Sequence, residues 1–135
     1  MSTQAETATM APSPEDRDVV FKTFGRAWFR RDVELLYQAV TPDFVWASFD
    51  GHGQVRQITG RDAVAAEFAA MGGGNIQRRF EDVVYHHAPD CSFMTFRVVA
   101  TDKTTGQSHE TVGVERYVFR DGRIAVKDVY VKPVG

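Results

Sequence analysis

The second half of the chain most restricts what it can fold into. Gln77 to His87, Cys91 to Asp102, Ser108 to Arg120 and Arg123 to Lys132 read as four long strands. Only short connections separate them: Ala88-Pro89-Asp90, Lys103 to Gln107, and Asp121-Gly122. The last pair is a two-residue hairpin signal, because both residues tolerate the left-handed backbone such a turn needs. An antiparallel meander of this length has an apolar face to cover, and the residues before Gln77 must supply the cover.

Those residues read mainly as helices. Residues 1–12 are small and polar without periodicity and are expected to be a disordered tail, leaving residues 13–135 as a single domain. Ser13 is placed to cap a helix, with Pro14 at its first position and acids in its first turn. Phe21, Phe24 and Trp28 make its apolar stripe, up to about Arg31. Val33, Leu36 and Val40 mark a second short helix ending at Thr41-Pro42-Asp43, since proline disfavours helix in the residue before it. Phe44 to Phe49 reads as a strand, Asp50 to Gly53 as a turn, and Gln54 to Ile58 as a short return strand. Thr59-Gly60-Arg61-Asp62 opens a third helix with Val64, Phe68 and Met71 on one face, and Gly72-Gly73-Gly74 stops it. The fold class is α+β: three N-terminal helices packed on a curved antiparallel sheet, a cone-shaped α+β barrel. The open end of such a cone is a natural small-molecule pocket.

Composition removes several function classes. The chain has 135 residues and a formal charge of −2, so no net basic field draws nucleic acid or anionic lipid. Its longest apolar runs are four residues, as in Phe44 to Ala47, against the roughly 20 a membrane helix needs. One cysteine, Cys91, suits a reducing compartment, and the first fourteen residues hold no Lys or Arg to begin a secretory signal. A cytoplasmic setting is expected. His86 and His87 are adjacent on a strand and point to opposite faces, so no metal site is expected from them. No glycine-rich phosphate loop, dinucleotide fingerprint or nucleophile elbow is present, and no cofactor is expected.

The Asp121-Gly122 turn lets a register be computed. A two-residue loop sets Arg120 opposite Arg123, Phe119 opposite Ile124, Tyr117 opposite Val126, Glu115 opposite Asp128 and Gly113 opposite Tyr130. The face with Tyr117, Phe119, Ile124 and Val126 is the inner one, because the alternative buries Arg116, Arg120, Arg123 and Lys127. Glu115 and Asp128 are then opposed inside the cone, with Cβ atoms about 4.5–5.5 Å apart. Two carboxylates in an apolar cup cannot both ionise cheaply, and a neutral acid beside a carboxylate is an acid/base pair. A neutralising arginine such as Arg79 or Arg97, hydrogen bonding of either acid to Tyr117, Tyr130 or His109, or a one-residue bulge moving one carboxylate to the other face, would undo that pairing. Phe44, Trp46 and Ser48 share a face of the first strand, and Tyr117 and Tyr130 offer hydroxyls to a carbonyl oxygen. On the outer face, Val112, Val114, Val129 and Val131 form an apolar patch suited to a partner surface.

Several local strings resemble one family in order and spacing. They are Trp28-Phe29-Arg30-Arg31-Asp32 into Leu35-Leu36-Tyr37, Thr41-Pro42-Asp43-Phe44-Val45-Trp46, and Gly60-Arg61-Asp62-Ala63-Val64. Phe119-Arg120-Asp121-Gly122-Arg123-Ile124 follows, with Asp128 after it. Over residues 15 to 132 the chain resembles the nuclear transport factor 2-like superfamily, in its SnoaL-like polyketide cyclase and ketosteroid isomerase-like branch. The resemblance implies the cone fold and a homodimer formed through the outer sheet face. It does not fix a function, because the fold hosts isomerases, cyclases, epoxide hydrolases, dehydratases and non-enzymatic binders. Where ketosteroid isomerase-like members carry an Asp, this chain has Ser48, with Asp50 two residues on; where they carry a helix tyrosine, it has Phe24, Gly25 and Trp28. The steroid isomerase mechanism therefore does not carry over. The resemblance to SnoaL-like cyclases instead points to Asp128. The expected catalytic pair is Asp128 and Glu115, with Tyr130, Tyr117, Trp46, Ser48 and Trp28 around a small apolar substrate. The alternatives are a non-catalytic binder of an apolar ligand and a dimeric interaction module.

Overall fold

The computed structural model describes residues 11–49, 54–72 and 74–134. In chain order the elements are α1 (Pro14–Arg30), α2 (Val33–Ala39), β1 (Val40–Phe49), β2 (Val55–Thr59), α3 (Arg61–Gly72), β3 (Ile76–His87), β4 (Cys91–Asp102), β5 (Ser108–Arg120) and β6 (Arg123–Pro133). They form the expected α+β fold, three helices on a mostly antiparallel six-stranded sheet ordered β2-β1-β6-β5-β4-β3. All neighbours are antiparallel except β1 and β6, which run parallel.

Local chemistry sets the helix boundaries. The Ser13 hydroxyl accepts from the Asp16 N–H, Pro14 occupies the first turn, and Glu15 and Asp16 face the positive end of the helix dipole. The Asp32 carboxylate caps α2 through the Leu35 N–H at 3.0 Å. Val40 already has an extended backbone, so β1 begins there, four residues before the predicted start at Phe44. The predicted Asp50 to Gly53 turn lies outside the described residues. The C-terminal strands match their predicted limits to within a residue.

The core lies between α1 and the inner sheet face. Phe21 packs on Tyr85, Tyr117 and Phe119, Phe24 on Phe44 and Tyr117, and Trp28 on Trp46 and Phe68. On β4 the inward residues Met94, Phe96, Val98 and Ala100 are buried while the outward ones between them are half-exposed. Gly113 has no side chain on this face because Phe96 takes the space: a Cβ there would sit 2.5 Å from the Phe96 ring and 2.8 Å from Val131. Arg17, also buried, ties α1 to the β3–β4 turn by donating to the carbonyls of Ala88, Pro89 and Cys91 and to the Ser92 hydroxyl.

The β5–β6 register departs from the expected one. The turn is as predicted, with positive φ at Asp121 and Gly122, and Arg120 pairs with Arg123 and Phe119 with Ile124. The next pair is Val118 with Val126, so Ala125 is an extra residue on β6. A bulge of this kind reverses the facing of everything beyond it. Tyr117 now opposes Lys127, Glu115 opposes Val129, and Arg116 opposes Asp128. Glu115 and Asp128 therefore stand on opposite faces, and the expected opposed carboxylates do not occur. Val129 and Val131 turn inward, so the predicted outer patch loses both, and Tyr130 turns outward. Lys127, assigned to the outside on grounds of burial cost, is inside and 5% exposed.

Candidate functional site

Among the described residues the buried charged side chains are Arg17, Glu115 and Lys127. Two of these three meet: Lys127 Nζ donates to Glu115 Oε1 at 2.8 Å. The Tyr117 hydroxyl donates to the same oxygen in a very short hydrogen bond, and Lys127 Nζ lies 3.4 Å from the Tyr117 oxygen. Strand geometry brings the three together, since Glu115 and Tyr117 are alternate residues of β5 and Lys127 faces Tyr117 across the ladder. Trp46 stands beside Lys127 on the other flank, paired with it in the parallel β1–β6 ladder.

Aromatic rings close over the ammonium. Lys127 Nζ lies 4.5 Å from the Trp28 ring centre, 5.6 Å from that of Tyr117 and 5.7 Å from that of Phe24. These distances fit cation–π attraction, which strengthens when the cation is desolvated. Of those three rings only Trp28 keeps substantial exposure. Burial, the Glu115 charge and the hydrogen bond to Glu115 hold the Tyr117 phenol well above its ordinary range, so it stays a neutral donor. The cluster thus presents a fixed carboxylate, a neutral hydroxyl and an ammonium in an apolar shell. Such a set can accept a proton and stabilise a developing oxyanion.

The other expected site residues fall in different places. Trp46 is buried, and Trp28 packs edge-on against it at 4.6 Å between ring centres. Ser48 is half-exposed near the end of β1 and pairs with Arg56 in the β1–β2 ladder. Asp128 accepts from the Tyr130 hydroxyl at 2.7 Å on the outer face, where Tyr130 is 57% exposed. Arg97, one of the two arginines considered as neutralisers, instead pairs with Glu81, Asp82 and Glu110, and Arg79 pairs with Glu81. His86 bonds Thr95, while His87 bonds Ser92 and Asp18. Among the described residues no group of three or more His, Cys, Asp or Glu side chains comes together as a metal site. No described helix is long and apolar enough to cross a membrane.

Comparison with known proteins identifies the family and the fold. A family model described as a SnoaL-like domain matches residues 21–127, and the chain belongs to that family. Its fold is similar to that of a nuclear transport factor 2-like protein from Burkholderia xenovorans LB400, with TM-score 0.72, 17% identity, and 89% of this chain and 92% of that one covered. It is also similar to a nuclear transport factor 2-like protein of unknown function from Burkholderia pseudomallei K96243, with TM-score 0.68, 20% identity and coverage of 87% and 91%. An epoxide hydrolase from M. tuberculosis aligns with TM-score 0.64 and 15% identity, over 90% of this chain and 86% of that one. No curated protein matches. At these identities the likeness is one of fold, and the chemistry has to come from this chain's own residues.

Two outcomes follow for the cluster. Lys127→Met and Glu115→Leu should each cost about 3–5 kcal/mol, because each strands a buried charge, whereas the double substitution should cost less than either. Urea denaturation of the four proteins measures this, and additive losses would mean the pair is not coupled. The second outcome concerns alkali. All four tyrosines are held above the ordinary phenol range: Tyr37 and Tyr85 mainly by burial, Tyr117 by burial and Glu115, and Tyr130 mainly by its bond to Asp128. A phenol whose folded pKa is raised stabilises the fold fully below its unfolded pKa, about 10. That contribution is lost as pH rises through the folded value. Tyrosinate absorbance should lag that of free tyrosine, with Tyr117 ionising as the far-ultraviolet dichroism collapses. A normal titration of all four in the folded protein would contradict this.

Proposed function

We propose that this SnoaL-like chain acts without a cofactor on a small apolar carbonyl or epoxide compound, by isomerisation, cyclisation or hydrolysis at Glu115, Tyr117 and Lys127. One observation carries the reading: a charge pair buried under aromatic rings on the inner face. Stability does not call for it, since well-packed apolar residues in place of a buried ion pair are often neutral or stabilising. Glu115 keeps the acid/base role, and Lys127 stands where a second carboxylate was expected, supplying charge for an oxyanion. Trp28 and Trp46 are the walls. Trp28, the half-buried ring over Lys127, is the more exposed of the two. The single buried thiol, Cys91, is consistent with a cytoplasmic setting.

The test is a panel of ketones, enones and epoxides incubated with the protein and read by mass spectrometry. At least one compound should be turned over, and the Lys127→Met/Glu115→Leu double variant should lose about a hundredfold or more in rate while remaining folded. Binding of an apolar ligand that survives the double substitution, with no turnover of any compound, would make the protein a non-catalytic binder.

The outer face supports a second element of the reading, a homodimer. A cleft of about 410 Å³ runs there, with Thr95, Val112, Val114, Tyr130 and Lys132 among its lining. Val84 and Tyr130 leave 49% and 57% of their surface exposed on the same face. A second copy of the chain would cover this apolar surface. Light scattering at micromolar concentration should give twice the 15.1 kDa chain mass, and a 15.1 kDa species would count against it.

A further inference from the structure

We propose that Lys127 is an amine nucleophile that joins the substrate covalently as an imine, which narrows the substrate class to aldehydes and ketones. The inference rests on the reading that the cluster is the reactive site. Three observations carry it. Glu115 Oε1, a proton acceptor, lies 2.8 Å from Lys127 Nζ. Glu115 is itself fixed by the Tyr117 hydroxyl. The amine stands under Trp28 and Phe24, cut off from water. A nucleophile within hydrogen-bond reach of a base that a third group orients is the arrangement of covalent catalysis. The choice of residue also fits. Arginine, with its planar fork and permanent charge, is the better partner for a buried carboxylate that serves structure alone, whereas a buried lysine can give up its proton.

The step balances within the cluster. The Lys127 ammonium passes a proton to the Glu115 carboxylate, leaving a neutral amine and a carboxylic acid. The amine lone pair forms a bond to the carbonyl carbon, and the displaced π pair on oxygen takes the proton from Glu115. The nitrogen then returns a proton to Glu115, which delivers it to the carbinol hydroxyl. Water leaves, the C–O bond breaks, and an iminium beside an ionised Glu115 remains. Net charge is unchanged and nothing is oxidised or reduced.

The chain provides its own controls, because its other three lysines, Lys22, Lys103 and Lys132, are all exposed. The folded protein is incubated with 2,4-pentanedione or a small aliphatic aldehyde and sodium cyanoborohydride, digested, and the adduct mass mapped to each lysine. Accessibility alone predicts that buried Lys127 reacts last. The proposal predicts that it reacts about tenfold or more faster than each exposed lysine, and that Glu115→Gln lowers its labelling while leaving the other three unchanged. Labelling of the exposed lysines with Lys127 untouched, or at comparable rates on all four, overturns it, and this comparison needs no variant to fold. Turnover of a ketone or epoxide that depends on Lys127, with no adduct at that residue, would overturn the imine and leave the non-covalent reading standing.

Discussion

The extra residue at Ala125 is the constraint on which the rest of the structure depends. Strand side chains have a period of two, so one inserted residue exchanges the faces of everything from Val126 onward. Without it, β6 would send Asp128 and Tyr130 inward to face Glu115 and Gly113. With it, Lys127, Val129 and Val131 point in, and the acid on β5 meets a cation. The tight turn at Asp121-Gly122 fixes where the hairpin begins, and the bulge three residues later decides what it encloses. The fold's inner chemistry is therefore set by backbone register as much as by residue identity.

The two buried cations show different solutions to the same cost. Arg17 is solvated by a ring of backbone carbonyls and a serine hydroxyl that accept its hydrogen bonds, a pattern that suits a planar five-donor fork and fastens α1 to the β3–β4 turn. Its hydrogen bonds run to main-chain carbonyls and one hydroxyl, and its role is satisfied by architecture. Lys127 has one carboxylate oxygen, a distant phenol oxygen and aromatic faces. A compact ammonium with so few conventional acceptors is held by a single strong pair and by ring quadrupoles. That difference in partners is what distinguishes the two cations, although both are hidden from water.

Most of the fold was legible in the sequence because turns and alternation are local signals. The β3 to β6 limits follow from Pro89, Asp121-Gly122 and the apolar periodicity, and α1 follows from Ser13-Pro14 and the Phe21, Phe24, Trp28 stripe. The start of β1 was misplaced because Pro42 reads as a helix terminator, whereas the chain had already become extended at Val40. The apolar pattern of β6 did not decide whether a bulge occurs, for a physical reason. On β6, Ile124, Val126 and Tyr130 on one parity are as apolar as Ala125, Val129 and Val131 on the other, so burial alone barely distinguishes the registers. The deciding weight fell on Lys127, whose burial looks prohibitive when its partner is ignored. A signal did exist: Glu115 and Tyr117 on an inner face call for a nearby cation, and Lys127 is the basic residue that a one-residue shift brings opposite them.

The same register change also explains why the two sheet faces differ in character. Turning Asp128 and Tyr130 outward leaves them bonded to each other on a half-exposed surface with Arg116 across the ladder, where a carboxylate remains solvated. Turning Val129 inward adds apolar surface around the ion pair, which removes water from it and strengthens the Coulombic attraction it depends on. An acid/base set needs that dry shell to have unusual reactivity, and a carboxylate on the outer face cannot acquire it. Glu115, Tyr117 and Lys127 are therefore held together in the dry interior, while the carboxylate that the family pattern singled out stands on the outer face, bonded to Tyr130.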